Sequence, residues 1–278
     1  MKILKKKILI AMLFCFSSSG ILIAQDKVFF SDTIFEFSGL KIRFEHGYGR
    51  GDVVKIKMVI TNLTDRYAII NPNDIVVTLI NGTEKRTWYE KQIVASPKDL
   101  VKVTLQFRDL IWIRKTPLNI RVKNIKFAET LLSTYSPLVL EASFGLRYES
   151  KALALEIIEV TPRSYDYAVK VKINYSGPNF LSINYNKALF VTAKGDFHNT
   201  RKSKNSYDNN LPAQNMLMIF PCSDGKGIKI PATINLNDVF KEYSLSTVAG
   251  FHLQLGFITE REFRNNKRFE EETIEEIE

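Results

Sequence analysis

Metal and acid–base centres need polar side chains that can converge, and histidine is the first residue type to place. The chain has three: His46 in the segment Glu45–Asp52, His198 in Gly195–Thr200, and His252 in an alternating run from Phe251 to Phe257. None has a second His or a Cys at metal-ligand spacing, so no metal and no cofactor is expected. Met216 and Met218 are the one close methionine pair, and their i, i+2 spacing on one strand face suits core filling rather than a copper clamp. No Gly-x-Ser-x-Gly turn presents a serine nucleophile. The inter-strand segments are short and leave little wall for a water-excluding cleft. No catalytic residue is assigned, and the chain is expected not to be an enzyme.

Binding chemistry has more candidates. Lys194, His198, Arg201, Lys202 and Lys204 fall in a cationic, Asn-rich segment from Lys194 to Asn215, longer than a hairpin needs. Such a loop suits an acidic polymer, a lipid headgroup or an acidic protein, against the plainer reading of a solvated loop. Trp88, Tyr89 and Trp112 are candidate aromatic contacts for a sugar face, although Trp88 follows a hairpin and Trp112 sits in Leu110-Ile-Trp-Ile113, where burial is expected. Arg50-Gly51-Asp52 reads either as an exposed recognition tripeptide or as a plain turn. The glycine run around it has no following helix to hold a phosphate. No nucleic-acid motif is present, and nucleic acid is not an expected partner.

The elements that must carry these residues alternate with period two. Val54, Ile56, Met58 and Ile60 are separated by Lys55, Lys57 and Val59; Leu40, Ile42 and Phe44 by Lys41 and Arg43; Val101, Val103, Leu105 and Phe107 by Lys102, Thr104 and Gln106. That is the half-buried strand of an antiparallel sheet. Asn81-Gly82 marks a hairpin. The plan recurs at an offset of about 113 to 115 residues: Val54–Lys57 with Val169–Lys172, Ile70–Asn73 with Ile183–Asn186, Gly82 with Gly195, and, after a longer loop, Val101–Thr104 with Ile228–Pro231. The sequence is therefore read as a signal peptide over 1–24, a sandwich over 25–130, a linker over 131–151, a second sandwich over 152–258 and a charged tail over 259–278.

At the N-terminus, Lys2, Lys5, Lys6 and Lys7 precede nine apolar residues, Ile8 to Phe16, and then three serines and Gly20. This is the pattern of an export signal, with cleavage after Gly20 or, preferred here, after Ala24. Ile8 to Ala24 is short for a membrane span, and no span is expected after cleavage. Bulky Phe14 before Cys15 argues against lipidation. Of the two cysteines only Cys222 would remain, so no intrachain disulfide is expected. Lys and Arg number 39 against 30 Asp and Glu. Removing the four signal lysines leaves a net +5, and setting aside the six glutamates between Glu270 and Glu278 leaves +11 on the body. A basic body with an acidic tail reads either as a tail that folds back on the body or as a solubilising, frayed end.

Lys55 to Asn62, Ile70-Asn-Pro-Asn-Asp74, Gly82 and the run from Pro97 to Phe107 resemble immunoglobulin-like sandwich domains of exported bacterial envelope proteins. The likeness spans about 70 residues of the first half and is looser in the second. It implies an all-β fold of two tandem antiparallel immunoglobulin-like β-sandwiches and a location outside the cytosol, in the periplasm or extracellular, and it brings no catalytic residue with it. The expected role is binding or scaffolding a protein or polysaccharide of the cell envelope through sandwich edges and loops. A carbohydrate-binding module is one alternative. A periplasmic chaperone is another, since two exported, basic sandwiches resemble the pilus chaperones in outline, with Arg43 as a cleft residue.

Overall fold

A computed structural model describes residues 27–110, 117–201, 213–221 and 232–266. The first half runs through β1 (Val28–Phe30), β2 (Thr33–Phe37), β3 (Leu40–Arg50), β4 (Val53–Asn62), β5 (Ala68–Ile70), β6 (Ile75–Thr78), β7 (Glu84–Arg86), β8 (Ile93–Ala95), β9 (Leu100–Phe107) and β10 (Leu118–Thr134). The second runs through β11 (Val139–Glu141), β12 (Arg147–Ser150), β13 (Leu153–Pro162), β14 (Asp166–Tyr175), β15 (Phe180–Ile183), β16 (Leu189–Thr192), β17 (Gly195–His198), β18 (Gln214–Pro221), β19 (Thr233–Asn235), β20 (Phe240–Leu255) and β21 (Phe257–Ile258). A short helix follows over 260–266. Every strand pairing is antiparallel.

Alternation decides which face each strand buries. On β4, Val54, Ile56, Met58 and Ile60 are almost wholly inaccessible, while Lys55 and Lys57 reach water. They meet Ile42 and Phe44 of β3, Leu105 and Phe107 of β9, and, from the facing sheet, Ile75, Val77, Ile120 and Val122. A second core gathers Leu155, Val169, Val171, Ile173, Met216, Met218, Phe190 and Ile234. Met216 and Met218 are thus core residues. The β3–β4 hairpin closes on Gly51, whose φ of +63° supplies the positive value that a two-residue turn between right-twisted strands needs.

Sheet order repeats along the chain. In the first half β2-β3-β4-β9 form one layer; in the second, β12-β13-β14-β18 do. The offset is 113 residues: β3 and β4 begin at Leu40 and Val53, β13 and β14 at Leu153 and Asp166, and the single 3-10 turns at Pro72 and Tyr185. The facing layers correspond too, with β6 pairing β7 and β10, and β16 pairing β17 and β19.

The halves are nevertheless not separable at the expected boundary. Residues 131–151, read as a linker, hold the end of β10, all of β11 and all of β12. β10 has 17 residues, roughly 55 Å at 3.3 Å per residue and about three times a common strand. It pairs with β20 from Leu118↔Leu255 to Thr134↔Lys241, and β11 continues the same ribbon against β19. In the first half β10 is the inner strand, on β5 and β6, and β20 is the outer one. In the second half the roles reverse: β20 lies inside, on β15, and the end of β10 lies outside. Each half thus takes its last strand from the other. Leu255, Val248, Phe251 and Leu253, expected in the second sandwich, pack in the first core. Ile69, Ala128 and Phe180 form a small third cluster at the crossing, flanked by Tyr67 and Tyr243, with the Tyr67 hydroxyl 3.1 Å from Ser182 Oγ.

Candidate functional site

Exchange of the last strands leaves an edge. Among the described residues, β20 from Leu245 to Leu255 pairs only with β10, because β15 covers its other side from Phe240 to Tyr243. The stretch Ser244 to Leu255 contains no Lys, Arg, Asp, Glu or Pro. Natural edge strands are blunted by such residues, because unpaired N–H and C=O groups otherwise template a further strand. The edge stops at Gly256, whose carbonyl accepts from Ser31 N–H at 2.9 Å as the chain crosses to β21 in the facing layer.

Beside this edge, on the outer face of the ribbon, lies a shallow hollow of about 530 Å³. Ala249 and Gly250 make its floor, and Asn119, Arg121, Lys123 and His252 stand around it. Gly250 is required at its position: a Cβ there would fall 1.8 Å from the Val122 carbonyl oxygen, a contact with backbone that no side chain can tolerate. One carboxylate serves the cationic wall. Glu84 accepts from Lys123 Nζ at 2.5 Å and lies 3.8 Å from Arg121, and its pKa is lowered chiefly by the Lys123 hydrogen bond. With two fixed cations and one anion, the hollow favours an acidic side chain. The β20 edge offers backbone hydrogen bonds next to it.

The residues singled out from the sequence lie elsewhere and are not brought together. Lys194 is exposed in the β16–β17 turn, His198 ends β17, and Arg201 follows it. Lys202 and Lys204 lie outside the described residues, as do Trp112, Cys222, Ile228–Pro231 and the segment 1–24. The expected long loop is shorter than read, since β17 occupies 195–198 and β18 begins at Gln214. Its described start is fixed by buried Asn199, whose Nδ2 donates to the Tyr185 and Arg201 carbonyls and whose Oδ1 accepts from Ile219 N–H at 2.8 Å. Arg50, Gly51 and Asp52 form the exposed β3–β4 turn, where the Asp52 carbonyl accepts from Leu110 N–H. Trp88, a candidate aromatic contact, is 57% exposed, and the Arg108 guanidinium stacks 3.7 Å from its ring. Tyr89 packs against the first core. One aromatic with a covered face and one turned inward do not make a sugar platform.

Two buried or half-buried carboxylates were not foreseen. Glu45, fully buried, receives Arg43 Nε and, at 2.8 Å, Lys57 Nζ, with His46 Nδ1 at 3.9 Å. His46, read as a loop residue, sits within β3 at a bulge with φ of +51°, its N–H bonded to Asp32. Glu242 on β20 accepts from Ser133, Tyr135, Tyr175 and Asn179 at 2.7 to 3.1 Å. Burial alone raises its pKa, but these donors outweigh it and hold the carboxyl below the usual range. Burial and the Glu242 charge push the Tyr135 phenol up to about 12, and the Tyr175 phenol rises for the same reasons. Four donors saturate the Glu242 carboxylate, which leaves no lone pair poised for proton transfer and makes it a fastener between β10, β14 and β20. Among the described residues no three His, Cys, Asp or Glu groups cluster as metal ligands, and no helix is long and apolar enough to cross a membrane.

The β20 edge had one sequence signal, the uncharged run Ser244–Leu255. What made it an edge, pairing with β10 across half the chain, has no local signature. Compared with known proteins, the chain matches no family model, no curated protein and no solved structure.

Proposed function

We propose that the chain is an exported, non-enzymatic protein of the cell envelope, built of two tandem immunoglobulin-like sandwiches, that binds an extended segment of a partner protein by strand addition to β20. The immunoglobulin-like reading is supported by topology. β3, β4 and β9 fill the first, second and fifth strand positions of one layer, and β6, β10 and β20 the third, sixth and seventh of the other. Export is supported by the lysine-led apolar N-terminus.

The observation that carries the binding reading is the open, uncharged edge from Leu245 to Leu255. Backbone bonds to that edge supply affinity without sequence preference, and the cationic hollow beside it selects an acidic side chain. Thr247 and Ala249 are exposed, so Thr247→Lys with Ala249→Lys charges the edge without opening the core. A photo-crosslinker at position 247 in envelope extracts identifies the segment that docks, and calorimetry with that synthetic segment measures its binding. We expect the double lysine variant to bind at least tenfold more weakly and the β20 amides to gain hydrogen-exchange protection in the wild-type complex. Unchanged affinity in the variant refutes strand addition. Cell fractionation with N-terminal sequencing of the mature chain tests export.

A further inference from the structure

The outer face of the β2-β3-β4-β9 layer carries Lys41 and Arg43 from β3, Lys55 and Lys57 from β4, and Lys102 from β9, against Glu36 and Glu45. Register stacks these into cross-strand rows, Arg43–Val59–Lys102 and Glu45–Lys57–Thr104, with Lys55 next along β4. Glu45 is taken up by Arg43 and Lys57. Lys41, Lys55 and Lys102 meet no carboxylate within ion-pair distance among the described residues, and only Lys41 has one, Glu36, opposite it in register. The corresponding face of the second half is balanced instead. There Arg147 and Lys172 flank Glu156, and Lys170 stands opposite Glu159. One of two equivalent surfaces therefore holds a surplus of positive charge, and the repeat gives no structural reason for it.

The chain leaves the described fold beside that same face. The helix over 260–266 is fixed at its start by a capping box, in which Glu262 accepts from Thr259 N–H and Oγ1 and returns its own N–H to Thr259. Phe263 then seats its ring 4.6 Å from Phe29 and 6.1 Å from His46, whose Nδ1 lies 3.9 Å from Glu45. Asn266 is within one helical turn of Phe263. Twelve residues follow, with glutamates at 270, 271, 272, 275, 276 and 278. Extended, twelve residues reach about 40 Å, whereas the step from β3 to β9 is about 10 Å at common strand spacing.

We infer that residues 270–278 occupy the cationic face of the β2-β3-β4-β9 layer, pairing their glutamates with Lys41, Lys55 and Lys102. Charge sign, reach and the exit point of the helix select this surface over the balanced face of the second half. The tail is then an internal occupant that an external polyanion must displace. Exposed pairs of this kind are screened by salt, and the screening length falls from about 10 Å at 0.1 M to about 3 Å at 1 M.

The test uses the full chain. Carbodiimide joins carboxylates to lysines already in contact. In the monomer at low salt, peptides from 270–278 should be linked chiefly to Lys41, Lys55, Lys57 and Lys102, and 1 M NaCl should abolish the links. Links spread evenly over Lys85, Lys126 and Lys172, or found only in a covalent dimer, overturn the assignment; the dimer result would give the surface to a second copy's tail. Retention on immobilised heparin is a second, independent readout. E270Q/E271Q/E272Q/E275Q/E276Q/E278Q should elute at higher salt than wild type. Adding K41Q/K55Q/K102Q should reverse that shift far more than K85Q/K126Q/K172Q, which removes equal charge elsewhere. Equal effects of the two lysine sets refute the proposal.

Discussion

Phe251 measures how far the two halves depend on each other. It lies on β20, the strand that forms the inner partner of β15 in the second half, yet its ring packs in the first core against Phe35 at 4.8 Å, Phe37 at 5.6 Å and Phe44 at 6.4 Å. Truncating a fully buried Phe to Ala costs about 3–5 kcal/mol, and the partial exposure of Phe251 reduces that to about 2 kcal/mol. With a urea dependence of about 3 kcal/mol per molar, the midpoint should fall by about 0.7 M. Both tryptophans, Trp88 and Trp112, are in the first half. Tryptophan fluorescence thus reports that half, and far-UV circular dichroism reports the whole chain. If the β10–β20 ribbon couples the cores, Phe251→Ala shifts both signals together, and both give one transition. Two separated transitions, with only the fluorescence one moved by the substitution, would refute reciprocal strand sharing and return the chain to two independent sandwiches.

Glu242→Gln places an amide donor among four donors and should cost about 2 kcal/mol at pH 7. Because the folded carboxyl titrates below the usual 4.5, the contribution is present above that value and is lost as pH falls through the lower folded one. Wild-type and variant stabilities should therefore converge in acid denaturation as the folded carboxyl protonates, and a gap that stays constant throughout the acid range refutes the reading. The Tyr135 phenol is held neutral, so stability should decline as pH rises between its ordinary value of 10 and about 12, and ultraviolet titration of Glu242→Gln should find the phenol ionising at lower pH. Gly250→Ala drives a Cβ into the Val122 carbonyl and should cost at least about 3 kcal/mol by denaturant titration, whereas Ala249→Gly beside it should cost about 1 kcal/mol or less.

Strand identity was legible because it is local. Ile42 and Phe44, or Val54 to Ile60, bury every second residue, and no distant information is needed to see it. The 113-residue offset was legible for the same reason, since Ile70-Asn-Pro-Asn and Ile183-Asn-Tyr-Asn each lead a strand into a 3-10 turn. The route of the long strands was not. Thr130-Leu-Leu-Ser-Thr134 breaks alternation because β10 leaves one core and enters the edge of another, with register shifts after Ala128 and Leu131. A pattern that changes face in mid-strand looks like the end of a strand. Glu45 and Glu242 were opaque for a related reason: Lys57 reaches Glu45 through the β3–β4 register, and Tyr135, Tyr175 and Asn179 reach Glu242 from segments distant in the sequence.

The ribbon has an outer edge in each half, and the two are built differently. In the second half that edge is the end of β10 with β11. It is interrupted between Thr134 and Val139, contains Pro137 and ends at Glu141. Shortness, proline and charge are the devices that keep edges from recruiting strands. The equivalent edge in the first half, Leu245 to Leu255, is continuous and carries none of them. Two copies of one plan, folded under the same aggregation pressure, would be blunted alike if both only faced water. Among the described residues the ribbon thus keeps one unprotected edge, with a cationic hollow at its side, as the proposed strand addition by an extended, acidic partner requires, and the second half supplies the internal control: charging β20 at Thr247 and Ala249 only restores the protection that β10 and β11 already have.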